Sequence, residues 1–164
     1  MVTIGRATVR DADPAVLYRI LRLRTQVFVH EQRIVDEEEI DGRDLEDTTT
    51  LFWVEENGEV LATLRLLQDD VPAHAGPDAT VPAHAGPDAT APAHVGRVAT
   101  AQQARGRGLA ADLVRAALEH AGTDVAISAQ AYLEGWYGRL GFVRTGENYL
   151  EAGIDHVPML FTRP

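Results

Sequence analysis

The sequence predicts an α/β (α+β) fold: a mixed, mostly antiparallel sheet flanked by about four helices, in one domain over residues 1–164. Three observations lead there. Strand-like runs alternate with helix-like runs in the order β-α-(α)-β-β-β-α-β-α-β-β. Asn57-Gly58 joins two apolar runs, the strongest short-range hairpin signal. Finally, an arginine- and glycine-rich turn, "QARGRG" at 103–108, divides a strand-like run from an alanine-rich helical one.

The elements follow in chain order. Residues 3–9, "TIGRATV", read as a short strand. Asp13 before Pro14 is a helix start, with Asp as N-cap and Pro in the first turn. Leu17, Ile20, Leu21, Arg24, Val27 and Phe28 continue at helical spacing, with Arg24 beside the apolar face and Glu31 a turn beyond Phe28. A charge at such a place needs a partner, and Arg24–Glu31 is the expected pair. The acidic segment 37–47, "EEEIDGRDLED", reads as a turn around Asp41-Gly42. The hairpin at 48–67 follows, then strands at 94–100 and 124–130, helices at 108–122 and 131–141, and a closing hairpin across Ala152-Gly153.

Between the first hairpin and the next strand, "VPAHAGPDAT" at 71–80 repeats identically at 81–90, and "APAHVGRVAT" is a degenerate third copy. Ten residues are too few for a solenoid unit, and proline, glycine and alanine at these positions disfavour a packed element. The expected result is a duplicated loop insertion, placed at 71–93. His74, His84 and His94 recur with the repeat beside Asp78 and Asp88. Their recurrence follows from duplication, and no metal is expected.

Composition removes several chemistries. The chain has 164 residues, no cysteine and 15 basic residues, all arginine. Disulfides, thiolate metal sites, cysteine nucleophiles, lysine Schiff bases and a phosphate-loop lysine are thereby excluded. Ser128 is the only serine and sits in no Gly-x-Ser-x-Gly elbow. No apolar run approaches the roughly 18 residues of a membrane span, and the first residues lack a secretory-type apolar stretch. Cytoplasm is the expected location. A net charge of −10 disfavours nucleic acid and anionic membranes as partners and suits a cationic one.

Residues 97–115 invert that charge, with Arg97, Arg105, Arg107 and Arg115 against Asp112. A strand, a glycine turn and a helix start make an anion pocket from unpaired N–H groups and the helix dipole. Gly106 and Gly108 let backbone approach a phosphate. A Walker loop is absent. Gly106-x-Gly108-x-x-Ala111 satisfies a dinucleotide fingerprint, but the next strand ends in Ser128-Ala129-Gln130, without the acidic residue that holds a ribose.

Gln103-Ala104-Arg105-Gly106-Arg107-Gly108 resembles the Arg/Gln-x-x-Gly-x-Gly/Ala signature of the GNAT superfamily of N-acetyltransferases. "GRVAT" before it and "AQAYLEGWYGRLGF" after it are similar to the strands and helix around that family's cofactor. "LYRILRLRTQVFVHEQ", "EIDGRDLED" and "GIDHVPM" resemble its ElaA-like subgroup. The likeness spans about residues 16–161, apart from the duplicated loop. It departs from many members at Gln130, where they carry asparagine.

The resemblance implies the GNAT acyl-CoA N-acyltransferase fold, and transfer of acetyl from acetyl-CoA directly to a primary amine of a small molecule or peptide, in a monomer or homodimer. It implies that main-chain groups of Val98, Ala99 and Thr100 pair with pantetheine, assisted by Gln130. The N–H groups of Gln103, Ala104, Arg105, Gly106, Arg107, Gly108, Leu109 and Ala110 would cradle the pyrophosphate. Tyr137 falls at the general-acid position. Glu31 and His156 are candidate bases, and Phe28, Glu31 and Asp155 candidate acceptor contacts. Two alternatives stay open: an acyl-homoserine-lactone synthase-like acyltransferase, echoed by "RTQVFVHE", and a non-catalytic acyl-CoA-binding regulator.

Deleting residues 71–90 leaves "APAHVGRVAT" to enter the strand. The shortened chain is expected to keep its melting temperature within a few degrees and to bind acetyl-CoA unchanged, since loop closure depends weakly on length. Thermal melts with and without ligand and chelator check this.

Overall fold

In a computed structural model, residues 1–68 and 91–164 are described. The identical repeats, with His74, Asp78, His84 and Asp88, lie outside them. Strand β1 (Val2–Ala7) leads to helix α1 (Pro14–Arg24). Asp13 caps α1 as expected, its carboxylate accepting from Ala15 N at 2.8 Å and Val16 N at 3.2 Å. The chain does not stop at Arg24 but widens into a π-helical segment, Thr25–Glu31. Two features accompany the widening. Thr25 Oγ1 donates to the Leu21 carbonyl at 2.9 Å, and Gln32 N bonds Val27 O, five residues back.

Strands β2 (Thr50–Glu56) and β3 (Glu59–Leu67) form the hairpin over Asn57 and Gly58, whose φ values of 53° and 77° suit the tight turn. β4 (Ala93–Thr100), α2 (Leu109–Ala121), β5 (Val125–Gln130), α3 (Glu134–Gly138), β6 (Val143–Arg144), β7 (Tyr149–Glu151) and β8 (Ile154–Phe161) complete the chain. The sheet order is β1-β2-β3-β4-β5-β8-β6, with β7 also on β8. Only the β4–β5 pair is parallel. The expected closing hairpin is therefore divided: 142–151 supplies two short strands instead of one. Helices α1 and α2 both lie against β3, and Val60 to Leu67 are all buried. Leu113, Val114 and Ala117 of α2 join Phe52, Leu64 and Leu66 in the core.

The acidic segment is not a solvated turn. Arg24, 1% exposed, donates from Nε to Glu39 at 2.6 Å and from Nη1 to Asp44 at 2.7 Å. Arg65, 4% exposed, holds both oxygens of Asp41, at 2.8 and 2.9 Å. Arg97 reaches Glu39 at 2.9 Å and Asp41 at 3.3 Å. Three guanidinium groups thus oppose three carboxylates. The expected Arg24–Glu31 pair does not form. The π-helical widening carries Glu31 out to Arg105, and the buried partners of Arg24 come from a segment at least fifteen residues away.

Burial alone would raise the Asp41 pKa. The hydrogen bonds and charge of Arg65, the Arg43 N–H and the Arg97 charge outweigh it and lower the carboxyl to about 2. The stabilisation this carries is present above the unfolded carboxyl's pKa near 4 and is lost as pH falls toward 2. Arg24→Met is expected to destabilise the fold by about 3–5 kcal/mol, because it strands buried carboxylates. Urea denaturation at neutral pH reads the loss directly.

Candidate active site

β4 and β5 run together for only three residue pairs, Ala93–Val125, His94–Ala126 and Val95–Ile127. From Gly96 onward β4 leaves β5 but stays on β3. A bulge makes this possible: the register shifts so that Arg97 and Val98 together face Leu64, with Arg97 at φ 53°. The strands splay, and a cleft opens between the end of β5 and the edge of β4. Val98, Ala99 and Thr100 border it. An exposed strand edge of this kind accepts an extended chain of amides as an added strand.

The turn after β4 closes one end of the cleft. Ala104 is buried and its N–H bonds the Ala101 carbonyl at 2.9 Å, which anchors the turn. Gly106 and Gly108 then take φ values of 77° and 79°, and a Cβ built on either meets no atom within 4 Å. Gly108 is the N-cap of α2 and brings no side-chain cap, so the first-turn N–H groups face a cradle with backbone walls. The open cradle, the left-handed glycines and the helix dipole fit a pyrophosphate.

The arginines here are not equivalent. Arg105 donates from Nε to the Thr100 carbonyl at 3.2 Å and pairs with Glu31 at 2.6 Å, and so stays beside the cleft. Arg107 turns outward to Glu56 on the first hairpin, with two bonds of 3.0 Å, and does not line the cleft.

α3 and β8 supply the titratable groups. Tyr137, 6% exposed, is packed edge-on against Trp136 and Phe142, with centroids 4.8 and 5.7 Å away, and lines the cleft. Burial, helped by nearby Tyr132, pushes its phenol well above the ordinary tyrosine range, so the proton is held. His156, 7% exposed, lies opposite Gln130 across β5 and β8. Its Nδ1 is 2.7 Å from the Ile154 carbonyl. A carbonyl can only accept, so in the neutral ring Nδ1 carries the proton and Nε2 the lone pair. Gln130 Nε2 donates to Gln32 Oε1 at 2.8 Å, tying β5 to the residue that follows the π-helical segment.

Among the residues expected from sequence, Phe28, Glu31, Val98 to Thr100, Ala104 to Gly106, Gly108 to Ala110, Gln130, Tyr137 and His156 share the cleft. Gln103, Arg107 and Asp155 do not line it. Asp155 is exposed, projects from the face of β8 opposite His156, and accepts from Asn148 at 2.8 Å. Sequence reasoning missed Ser128, Tyr149 and Glu151. The Ser128 and Tyr149 hydroxyls are hydrogen-bonded to each other. Glu151 lies 3.4 Å from Ser128 Oγ and 3.5 Å from His156 Nε2. Period-two alternation over 149–151 is the one local signal that pointed their way.

A splayed β4–β5 pair, a glycine turn on a helix N-terminus and a buried phenol together define an acyl-CoA-dependent acyltransferase. Residues 23–163 match the model of the acetyltransferase (GNAT) domain, and the chain belongs to that family. Relatives agree over nearly full length. A UPF0039 protein of Mycobacterium tuberculosis is 41% identical over 159 residues, 96% of this chain and 91% of that one. An acyl-CoA N-acyltransferase from Pseudomonas aeruginosa is 36% identical, with TM-score 0.78 over 98% of this chain and 99% of the other. Escherichia coli ElaA is 27% identical, with the same TM-score and coverage. The acyl-homoserine-lactone synthase LasI, at 22% identity and TM-score 0.70, shares the fold.

Gly108→Asp adds a side chain at positive φ and a negative charge inside the cradle. It is expected to abolish the thermal stabilisation that acetyl-CoA gives the parent, with Gly106→Asp behaving likewise. A melt series over ligand concentration checks both.

Proposed function

We propose that this chain transfers an acetyl group from acetyl-CoA directly to a primary amine, with Tyr137 as general acid and His156 as general base. The observation that carries the reading is the place of Tyr137: a buried, protonated phenol lining the cleft that the β4 edge and the glycine turn share. The absence of cysteine removes an acetyl-cysteine route. Val98 to Thr100 would hold the pantetheine arm, the 104–110 backbone the pyrophosphate, and Gln130 a pantetheine amide.

In the reaction, His156 Nε2 takes a proton from the ammonium form of the acceptor. The freed lone pair forms the N–C bond at the thioester carbonyl, and the C–S bond breaks. Tyr137 gives its proton to the departing sulfur and is reprotonated from solvent. The surplus proton on the new amide nitrogen and the one taken up by His156 leave to water. Glu31, held by Arg105, is given a positioning role instead of the base. The repeat at 71–90 is read as a neutral insertion in a single domain.

Tyr137→Phe keeps the ring packing and removes only the proton. Acetyl-CoA affinity is expected to stay within a factor of two, while kcat falls about 100-fold. Stopped-time thiol release and calorimetric titration measure the two quantities. Near-parental turnover would remove Tyr137 as acid. Acetyl-CoA binding with no turnover by the parent over a broad amine panel would replace the enzyme reading by the regulator.

A further inference from the structure

Resting on that reading, we infer that the acceptor is an aliphatic primary amine carrying a second positive charge, its reacting ammonium received by Glu151 and Tyr149. Gln130, His156 and Tyr149 stand abreast on β5, β8 and β7, paired residue to residue. The rings of Tyr149 and His156 are stacked at a centroid distance of 6.0 Å. Glu151 reaches into the same row, 3.5 Å from His156 Nε2. An aromatic face beside a carboxylate attracts an ammonium group through its quadrupole and its charge together. The Nε2 lone pair next to them is where the ammonium proton goes. These groups share the cleft with Tyr137, a buried residue whose hydroxyl makes no hydrogen bond to the described residues.

The charge balance of the cleft supplies the second part. Its arginines are engaged: Arg43 with Glu46, Arg65 with Asp41, Arg97 with Glu39 and Asp41, Arg105 with Glu31. Asp36, Glu37, Glu38 and Glu147 also line it, are exposed, and have no cationic partner among the described residues. The Glu38 carbonyl accepts from Arg97 at 3.3 Å, so this acidic stretch runs beside the β4 bulge. The acceptor wall therefore carries surplus negative charge on two sides of the splay, and the anion cradle lies at the glycine turn. A monocation satisfies Glu151 alone, whereas a dication satisfies Glu151 and the 36–38 stretch.

The test compares initial rates with acetyl-CoA for 1,5-diaminopentane, spermidine, n-pentylamine, 5-aminopentanoate and an N-terminally blocked lysine-arginine peptide. Expected is a kcat/KM at least tenfold higher for the diamines or the peptide than for pentylamine, and the lowest value for 5-aminopentanoate, whose second charge is a carboxylate. The advantage should shrink as salt rises from 20 to 300 mM. Whether the diamines or the peptide lead tells a free polyamine from a peptide side chain. Glu151→Gln should raise acceptor KM at least tenfold while the acetyl-CoA Kd, read by calorimetry, stays within twofold. E37Q/E38Q should cut the ratio of diamine to pentylamine kcat/KM at least fivefold. Equal use of pentylamine and diamines, or unchanged acceptor KM in Glu151→Gln, overturns this inference and leaves the acetyltransferase reading standing. No acetylation of any amine, with acetyl-CoA still bound, defeats that reading itself.

Discussion

Arg24, Arg65 and Arg97 against Glu39, Asp41 and Asp44 are the constraint on which the working half of the molecule depends. The six groups come from α1, β3, β4 and one acidic segment, so their pairing fixes four pieces of chain at once. Each member has at least two opposite charges to answer. Arg24 spans Glu39 and Asp44, and Arg65 grips Asp41 with both terminal nitrogens. Lysine could not serve here. One ammonium on a flexible stem makes a point contact, whereas a planar fork donates in several fixed directions. Such a buried set contributes less through net stability than through uniqueness, because any other arrangement leaves a charge without a partner.

That uniqueness bears on the site through Arg97. Its backbone makes the bulge that separates β4 from β5, and its side chain belongs to the network. Burial and the neighbouring charges of Arg65 and Arg24 lower its pKa, against the pull of Glu39 and Asp41. A residue other than glycine at positive φ costs energy and persists only where its surroundings over-determine it. Here the surroundings are two carboxylates held in turn by two other arginines. The splay is thereby set through side chains of α1, β3 and the acidic segment.

Much of this architecture was legible in the chain. The Asp13-Pro14 start, the Asn57-Gly58 turn and the glycines after β4 are local signals with local causes, and each appears where its chemistry demands. Tyr137, His156 and Gln130 line the cleft: the resemblance to the GNAT family points to Tyr137 and Gln130, and His156 is a candidate base on a segment expected to border the acceptor. The partners of Arg24 were not legible. The sequence shows that a charge lies on an apolar face, but the answering carboxylates come from a segment whose composition alone reads as solvated turn. The π-helical widening was hidden as well, since seven residues of suitable pattern fit either helix. It displaced Glu31 and invalidated the expected pair. Ser128, Tyr149 and Glu151 gather through sheet topology, with β8 inserted between β5 and β7, an order that no local pattern specifies.

The two ends of the cleft divide their chemistry by the kind of group that bears it. At the glycine turn the positive potential comes from backbone, through the α2 dipole and N–H groups without side-chain capping, while Arg107 is drawn off to Glu56. At the β5–β8–β7 row the groups proposed to act are side chains: an imidazole, a phenol and a carboxylate. The division has a physical reason. In the proposed reaction the pyrophosphate is common to every turnover and needs no discrimination, so main-chain donors of fixed position suit it. Acceptor choice and proton transfer need groups whose charge and reach vary with residue type, and only side chains provide those. An acidic chain can hold an anionic co-substrate on these terms, because its carboxylates near the splay are paired with arginines or stand on the proposed acceptor side.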